Sequence, residues 1–391
     1  MKKSTQMKKR VWCELPDALL ERLLPLLPVP SLLRFRCVCK SWNSYILSSD
    51  FLHLCSSPSA SAAPASCSNN GDLHRPESSS SYLLLSTWSS NYPLLAFNPS
   101  RQTWHLPSLD FLLKQRGLAL AASTSGLSVV AAAGGLLCFS DGGSLLVVCN
   151  PVTKTMRQIE CREQEGRGER MLTDVVMASM KYDEEERSYE LMMVGTSERE
   201  EGGQVTCVYE SKRHVWRREK QREALVFESS GVFMGGDFYV LTSLPMKLMV
   251  FSREAATWRE HGAGLPAAGV QYPCLVESGG RLLLLAAVGD EEQDELSRYC
   301  VWRMEGLAWE EVARMPDAIF QQIGVKEYGF QGLSCVALQQ GSIYMTSSEG
   351  CLILDTPALV WDWLPQSPIL GGLFACIKDI YSMHPSLDNV T

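Results

Sequence analysis

The chain has 391 residues, 46% hydrophobic and 20% charged, with a formal net charge of −8. That length exceeds what one small core organises and points to two domains or one large repeat domain, while the acidic balance excludes attraction to nucleic acid as the main binding mode. The fourteen cysteines form no CxxC pair and no two of the six histidines stand four apart, so neither a metal site nor a disulfide framework is expected.

The first ten residues carry Lys2, Lys3, Lys8, Lys9 and Arg10. They read as a solvated basic tail, with nuclear import as the second reading. Next, Leu19, Leu20, Leu23, Leu24 and Leu27 recur at helical spacing behind Pro16, which suits an early helical position. Pro25 is expected to bend or shorten that helix. A second helix is expected from Ser31, an N-cap residue following Pro30, with Leu32, Phe35 and Val38 on one side. Trp42, Tyr45 and Ile46 supply a third apolar face. Helices this short share too little core to be very stable alone, so a partner is expected to cover part of their apolar surface.

The run LPDALLERLLPLLPVPSLLRFRCVCKSWNSYI, residues 15–46, resembles an F-box: an opening Leu-Pro, paired leucines, a second Leu-Pro and a closing Val-Cys-Lys-Ser-Trp. The resemblance implies an F-box domain over residues 11–55 that docks on a Skp-type adaptor, which bridges to a cullin and its RING partner. Carried over by position, the adaptor contacts are Leu15, Pro16, Leu19, Leu20, Leu27, Pro28, Leu32, Leu33, Val38, Cys39 and Trp42. Some of these must form the domain's own core, and the sequence does not separate the two sets.

Residues 56–81, SSPSASAAPASCSNNGDLHRPESSSS, have little to bury and read as a flexible linker. From residue 82 onward one pattern recurs: two apolar residues, a polar or turn-like stretch, a small or β-branched residue, then tryptophan. It occurs as AFNPSRQTW, VCNPVTKTM, VYESKRHVW, VFSREAATW, VWRMEGLAW and ILDTPALVW, ending at Trp104, Met156, Trp216, Trp258, Trp309 and Trp361. In all six the second apolar residue lies seven positions before the last, and the end-points differ by 52, 60, 42, 51 and 52 residues. Each unit reads as a hairpin whose aromatic packs on the next unit, and the spacing matches the kelch period of about 50 residues. Six units predict a six-bladed propeller over residues 82–391, in an α+β chain with the helical domain in front. Glycine pairs Gly134-Gly135, Gly235-Gly236 and Gly279-Gly280 precede apolar runs and suit tight turns or close packing near the axis.

No charge occurs between Arg116 and Asp141, but Ser123, Thr124, Ser125, Gly126, Ser128, Gly134 and Gly135 interrupt that stretch, so it reads as strands and turns, with no membrane span. LFACIKDIYSMHP, residues 373–385, is expected to supply the missing strand of the first blade and close the ring. The irregular third unit, residues 175–221, leaves blade boundaries unsettled there, and Met156 departs from the repeat. With the F-box, these repeats resemble the plant F-box/kelch proteins, especially the subgroup acting in floral-organ and leaf development. The run YPCLVESGGRLLLLAAV followed by VWRMEGLAWEEVARMP, residues 272–316, carries most of that likeness.

No GxSxG or HExxH occurs, and GAGLPAAG at residues 262–269 fails the spacing of a phosphate cradle. Acidic runs 183–186, 198–201 and 289–295 read as solvated turns more readily than as paired catalytic carboxylates. No cofactor is expected. The resemblance implies a non-catalytic substrate receptor of an SCF-type ubiquitin ligase, in nucleus or cytoplasm, with a protein client such as a transcription factor and neither nucleic acid nor membrane as direct partner. Two rivals are a scaffold that does not promote degradation and a kelch-propeller enzyme. Client contacts are expected on the polar insertions 162–170, 198–203 and 289–297, through Glu198, Glu200, Glu201, Asp290, Glu291, Glu292, Asp294 and Glu295.

Overall fold

The computed structural model describes residues 17–24, 27, 29–48, 50–51, 81–87, 94–107, 109–114, 127–142, 145–162, 171–197, 204–220, 225–227, 231–290, 295–324, 333–338, 341–347, 349–368 and 377–386. They fall into two compact units, one before residue 81 and one over Ser81–His384.

The first unit holds α1 (Asp17–Leu23), α2 (Val29–Phe35) and α3 (Lys40–Ile46). α1 stops two residues before Pro25, whose ring disfavours helical geometry in the residue ahead of it. α2 begins at Val29, two residues before the expected start at Ser31. Pro30 therefore lies in its first turn, where a missing N–H leaves no helical bond unmade. Cys39 caps α3, its Sγ accepting the Trp42 N–H at 3.5 Å.

The second unit is a propeller of six four-stranded antiparallel sheets. Blade 1 joins β24 (Ile377–Met383) to β1 (Tyr82–Thr87), β2 (Leu94–Asn98) and β3 (Thr103–His105). Blade 2 is β4 (Ser128–Ala133), β5 (Leu136–Ser140), β6 (Leu145–Asn150) and β7 (Thr155–Glu160). Blade 3 is β8 (Asp174–Asp183), β9 (Ser188–Thr196), β10 (Gln204–Glu210) and β11 (Val215–Lys220), a regular sheet where the sequence left boundaries unsettled. Blade 4 is β12 (Val232–Met234), β13 (Asp237–Ser243), β14 (Met246–Ser252) and β15 (Thr257–Glu260). Blade 5 is β16 (Val270–Ser278), β17 (Arg281–Asp290), β18 (Glu295–Glu305) and β19 (Ala308–Arg314). Blade 6 is β20 (Cys335–Ala337), β21 (Ser342–Thr346), β22 (Cys351–Asp355) and β23 (Val360–Trp363). Two short helices, α4 (Asp110–Lys114) and α5 (Asp317–Gly324), lie between blades 1 and 2 and between blades 5 and 6 in the chain.

The sequence repeat is the outer hairpin of each blade. In five blades the seven-residue spacing is a cross-strand pair: Phe97↔Trp104, Cys149↔Met156, Tyr209↔Trp216, Phe251↔Trp258 and Leu354↔Trp361. The residue two before each of those last positions is left-handed: Gln102, Lys154, His214, Ala256 and Leu359 have φ between 50° and 62°. Side chains at the loop's start hold it, for example Asn150 Oδ1 accepting the N–H groups of Val152 and Thr153 at 2.9 and 3.2 Å. Blade 5 departs: a two-residue turn at Gly306 and Leu307 shortens the hairpin and pairs Trp309 with Met304, so its seven-residue spacing is not a pair.

Four of the tryptophans tie each blade to the one before it, not the one after. Their indole N–H groups donate to Pro365 O from Trp104 at 2.8 Å, Glu160 O from Trp216 at 3.0 Å, Thr206 Oγ1 from Trp258 at 2.9 Å and Gly264 O from Trp309 at 2.8 Å. Met156 has no such donor. Trp361 packs in the core between blades 5 and 6, which also takes Ile319, Phe320 and Ile323 of α5. The glycine pairs are the two-residue inner turns, both residues left-handed, as a mirror-image hairpin turn requires. Gly134 is further constrained, because a Cβ there would stand 2.2 Å from the Tyr182 ring.

Burial pushes the thiols of Cys149 and Cys351 up to about 12, so they remain protonated and pack as small hydrophobes. Cys37 is the exposed exception among the described cysteines.

Closure is made by β24, which pairs with β1 from Tyr82↔Met383 to Thr87↔Ile377. It also reaches blade 2: Lys378 Nζ donates to Ser128 Oγ at 3.1 Å and Tyr381 Oη to Val129 O at 2.9 Å. Deleting residues 373–391 is expected to lower the melting temperature of the whole propeller, because blade 1 loses its inner strand and exposes an edge. Thermal denaturation of the truncated chain checks it, and an unchanged melting temperature would place closure elsewhere.

Asp379 sits in this seam, and its burial raises its pKa despite Ile380 N–H, Ser334, Tyr381 and Lys378, which lower it. The Tyr381 hydroxyl stands 2.9 Å from Val129 O and 3.2 Å from Asp379 Oδ2 and donates to either acceptor. A raised folded-state pKa means that the native state holds more protons than the unfolded chain between the two values. The stability from Asp379 is therefore complete below the ordinary aspartate value and is lost as pH rises through the raised one. Asp379→Asn is expected to remove this titration and flatten that part of the stability-versus-pH curve, measured by urea denaturation from pH 4 to pH 8.

Candidate functional site

In the helical unit Leu20, Leu24, Leu32, Trp42, Ile46 and Phe51 are buried. Phe35 meets Trp42 edge-on with ring centroids 5.5 Å apart, and Tyr45 meets Phe51 at 5.2 Å. Leu20, Leu32 and Trp42, carried over as adaptor contacts, are thus core residues that support the surface from beneath. Leu19 at 44% and Val38 at 48% are exposed, while Cys39 and Leu27 are partly buried. Leu15, Pro16, Pro28 and the side chain of Leu33 lie outside the described residues.

Leu23, absent from the carried-over set, is 52% exposed. It stands one turn after Leu19 on α1, so the two form one outward stripe beside the inward stripe of Leu20 and Leu24. The four-residue spacing was visible in the sequence, but every leucine of α1 shares it with another, so spacing alone could not say which pair faces out.

In the propeller the inner strands β4, β8, β12, β16, β20 and β24 line a central cavity of about 740 Å3. Its walls are largely Val, Ala, Leu and Phe side chains, with Lys181, Glu277, Lys378 and Asp379 as the charged groups. Among the described residues no cluster of three or more His, Cys, Asp or Glu stands together as a metal site would require. No helix among them is long and apolar enough to cross a membrane.

Alternation of antiparallel strands sorts the connections between two ends. The glycine turns and the four-residue outer turns share one end. The other carries the β7–β8, β9–β10 and β17–β18 connections, which contain the three polar insertions expected to bind a client. Glu198, Glu200, Glu201, Glu291, Glu292 and Asp294 lie outside the described residues. Asp290 and Glu295 form the last backbone pair of the β17–β18 hairpin. The remaining singled-out residues, Trp104, Met156, Trp216, Trp258, Trp309 and Trp361, all lie on outermost strands, away from the cavity.

An F-box helical unit followed by a six-bladed propeller defines an F-box protein of the plant receptor type. An F-box domain model matches residues 12–54, and a model described as the KIB1-4 beta-propeller matches residues 97–362, more than half the chain. The chain belongs to the KIB1-4 beta-propeller family and carries an F-box domain. It is 26% identical to an F-box/kelch-repeat protein of Arabidopsis thaliana over 91% of this chain and 84% of that one. It is 23% identical to Protein UNUSUAL FLORAL ORGANS of Arabidopsis thaliana, covering 93% and 80% of the two chains. Protein ABERRANT PANICLE ORGANIZATION 1 of Oryza sativa subsp. indica is 25% identical over 97% and 90%.

Proposed function

We propose that this chain is the substrate-recognition subunit of an SCF-type ubiquitin ligase, its F-box docking on a Skp-type adaptor and its propeller holding a protein client. It performs no chemistry itself. Its contribution is proximity, raising the effective concentration of client lysines near a charged ubiquitin-conjugating enzyme. The observation that carries this reading is the outward apolar stripe of Leu19 and Leu23, with Val38 also exposed, on the segment that matches an F-box domain. Apolar anchors of this kind fit helix-in-groove recognition.

Replacing Leu19 and Leu23 together by Ala is expected to weaken adaptor binding by about 1–3 kcal/mol per side chain while the unit stays folded. Leu20→Ala is expected instead to destabilise the unit by about 2–5 kcal/mol. Calorimetric titration with the adaptor and thermal melting distinguish the two, and unchanged affinity in the folded double variant counts against the reading.

The client is placed on the end of the propeller that carries residues 162–170, 198–203 and 289–297. Acidic insertions there suit a client with a basic patch. Exchanging Asp290, Glu291, Glu292, Asp294 and Glu295 for Asn or Gln is expected to slow client association and flatten its salt dependence without touching adaptor binding. Stopped-flow association at low and high salt measures both.

A further inference from the structure

Three of the inner strands around the cavity are bulged. β4, β8 and β24 each carry one extra residue in the first half of the strand, Val130, Val176 and Lys378, where the register with the partner strand shifts. All three strands start at the end that carries the polar insertions, so the bulges lie toward one mouth of the channel. A bulge re-aims a side chain out of the alternation that would otherwise bury it between blades. Val130, Val176 and Lys378 accordingly all line the cavity, and Val176 is 52% exposed although it belongs to an inner strand.

That mouth has an apolar wall with charge on one side only. Val129, Val130, Val175 and Val176 line it from β4 and β8, and the wall runs on through Ala132, Ala178, Val232 and Val336. The charged wall residues on this side are Lys378 and Asp379, because Lys181 and Glu277 fall in the last residues of β8 and β16, toward the opposite mouth. Asp379 is engaged by the chain itself: its Oδ1 accepts the Ile380 N–H at 2.8 Å, its Oδ2 stands 3.2 Å from Tyr381 Oη, and burial raises its pKa. A carboxyl that holds its proton in this way attracts a ligand cation poorly. Lys378 differs, since its ammonium lies 3.1 Å from the neutral Ser128 hydroxyl, and a carboxylate is a stronger acceptor for it than a hydroxyl. The cavity volume of about 740 Å3 falls among those of small-molecule sites. Its β24 wall, from Lys378 to Ser382, is about 13 Å long at the rise of an extended strand, the reach of a medium-length acyl chain.

We infer that this mouth of the channel binds a small monocarboxylic acid with an apolar body, its carboxylate on the Lys378 ammonium and its body along the valine wall. The inference stands apart from the receptor reading, because it concerns the propeller alone.

The test is calorimetric titration of the full chain at neutral pH with decanoate, decanol and decylamine, each below the concentration at which it aggregates. Decanoate is expected to fill one saturable site about tenfold more tightly than decanol, with decylamine the weakest. Lys378→Met keeps an apolar stem without the charge and is expected to lower decanoate affinity to that of decanol while leaving decanol unchanged. Val176→Asp places a like charge at the exposed bulge and is expected to weaken decanoate by about tenfold. Lys378 also ties β24 to β4, so the Lys378→Met chain is melted first. Where it does not fold, the ranking of the three probes and the Val176→Asp chain carry the test. Decanol or decylamine binding as tightly as decanoate, unchanged decanoate binding in either folded variant, or no saturable decanoate binding at all would overturn the inference.

Discussion

The propeller depends on one pairing, that of β24 with β1, which joins positions some three hundred residues apart: Ser81 Oγ and His384 Nδ1 meet at 3.1 Å although the residues are 303 positions apart. Every other inner strand is followed directly by its partner in the chain, so its hairpin forms locally. Blade 1 alone must wait for the far end of the chain, and until it closes, two sheet edges stay unpaired. The seam is built accordingly, with a backbone ladder to β1, a lysine and a tyrosine reaching to β4, and the buried Asp379 between them. Burial makes a charged carboxylate costly in that place, and hydrogen bonds together with the charge of Lys378 offset only part of that cost.

Against that single non-local link stand short-range devices repeated round the ring. A hairpin of fixed length places an aromatic on the outermost strand, and its indole N–H reaches the backbone or a hydroxyl of the preceding blade. Each such bond contributes on the order of 1 kcal/mol, less than the burial of the ring itself, but it fixes the angle between neighbouring sheets. Met156 keeps the apolar part of this device and loses the donor, which explains why a thioether is tolerated at a position otherwise held by tryptophan.

These differences mark what the sequence could carry. The hairpins were legible because a four-residue loop with a left-handed last residue imposes a spacing, and spacing is a sequence property. Blade 5 misled for the same reason: Gly306 allows a two-residue turn, and Trp302 stands seven before Trp309 without facing it. The direction of the indole bonds was not legible, since neither neighbour is encoded in a single repeat. In the helical unit the motif named the right segment and could not sort it. Leu19 and Leu20 are adjacent letters, yet the folded unit leaves one exposed and buries the other, a difference that the motif does not encode.

The same logic explains why the two ends of the ring differ in how freely their sequence can vary. Turns at the end with the glycine pairs are set by the blades themselves: two residues at the three glycine pairs and four at five of the six outer hairpins, with left-handed positions that leave little freedom for change. Connections at the opposite end join strands of different blades or the middle strands of one blade, and their lengths differ, two residues between β13 and β14 against thirteen between β7 and β8. There the chain inserts acidic segments and leaves Val226 and Leu244 exposed, with the register of β17 and β18 shifting only between Val288 and Gly289. A fold whose hairpins constrain the sequence at one end is free to vary at the other, which is where such scaffolds carry their differences.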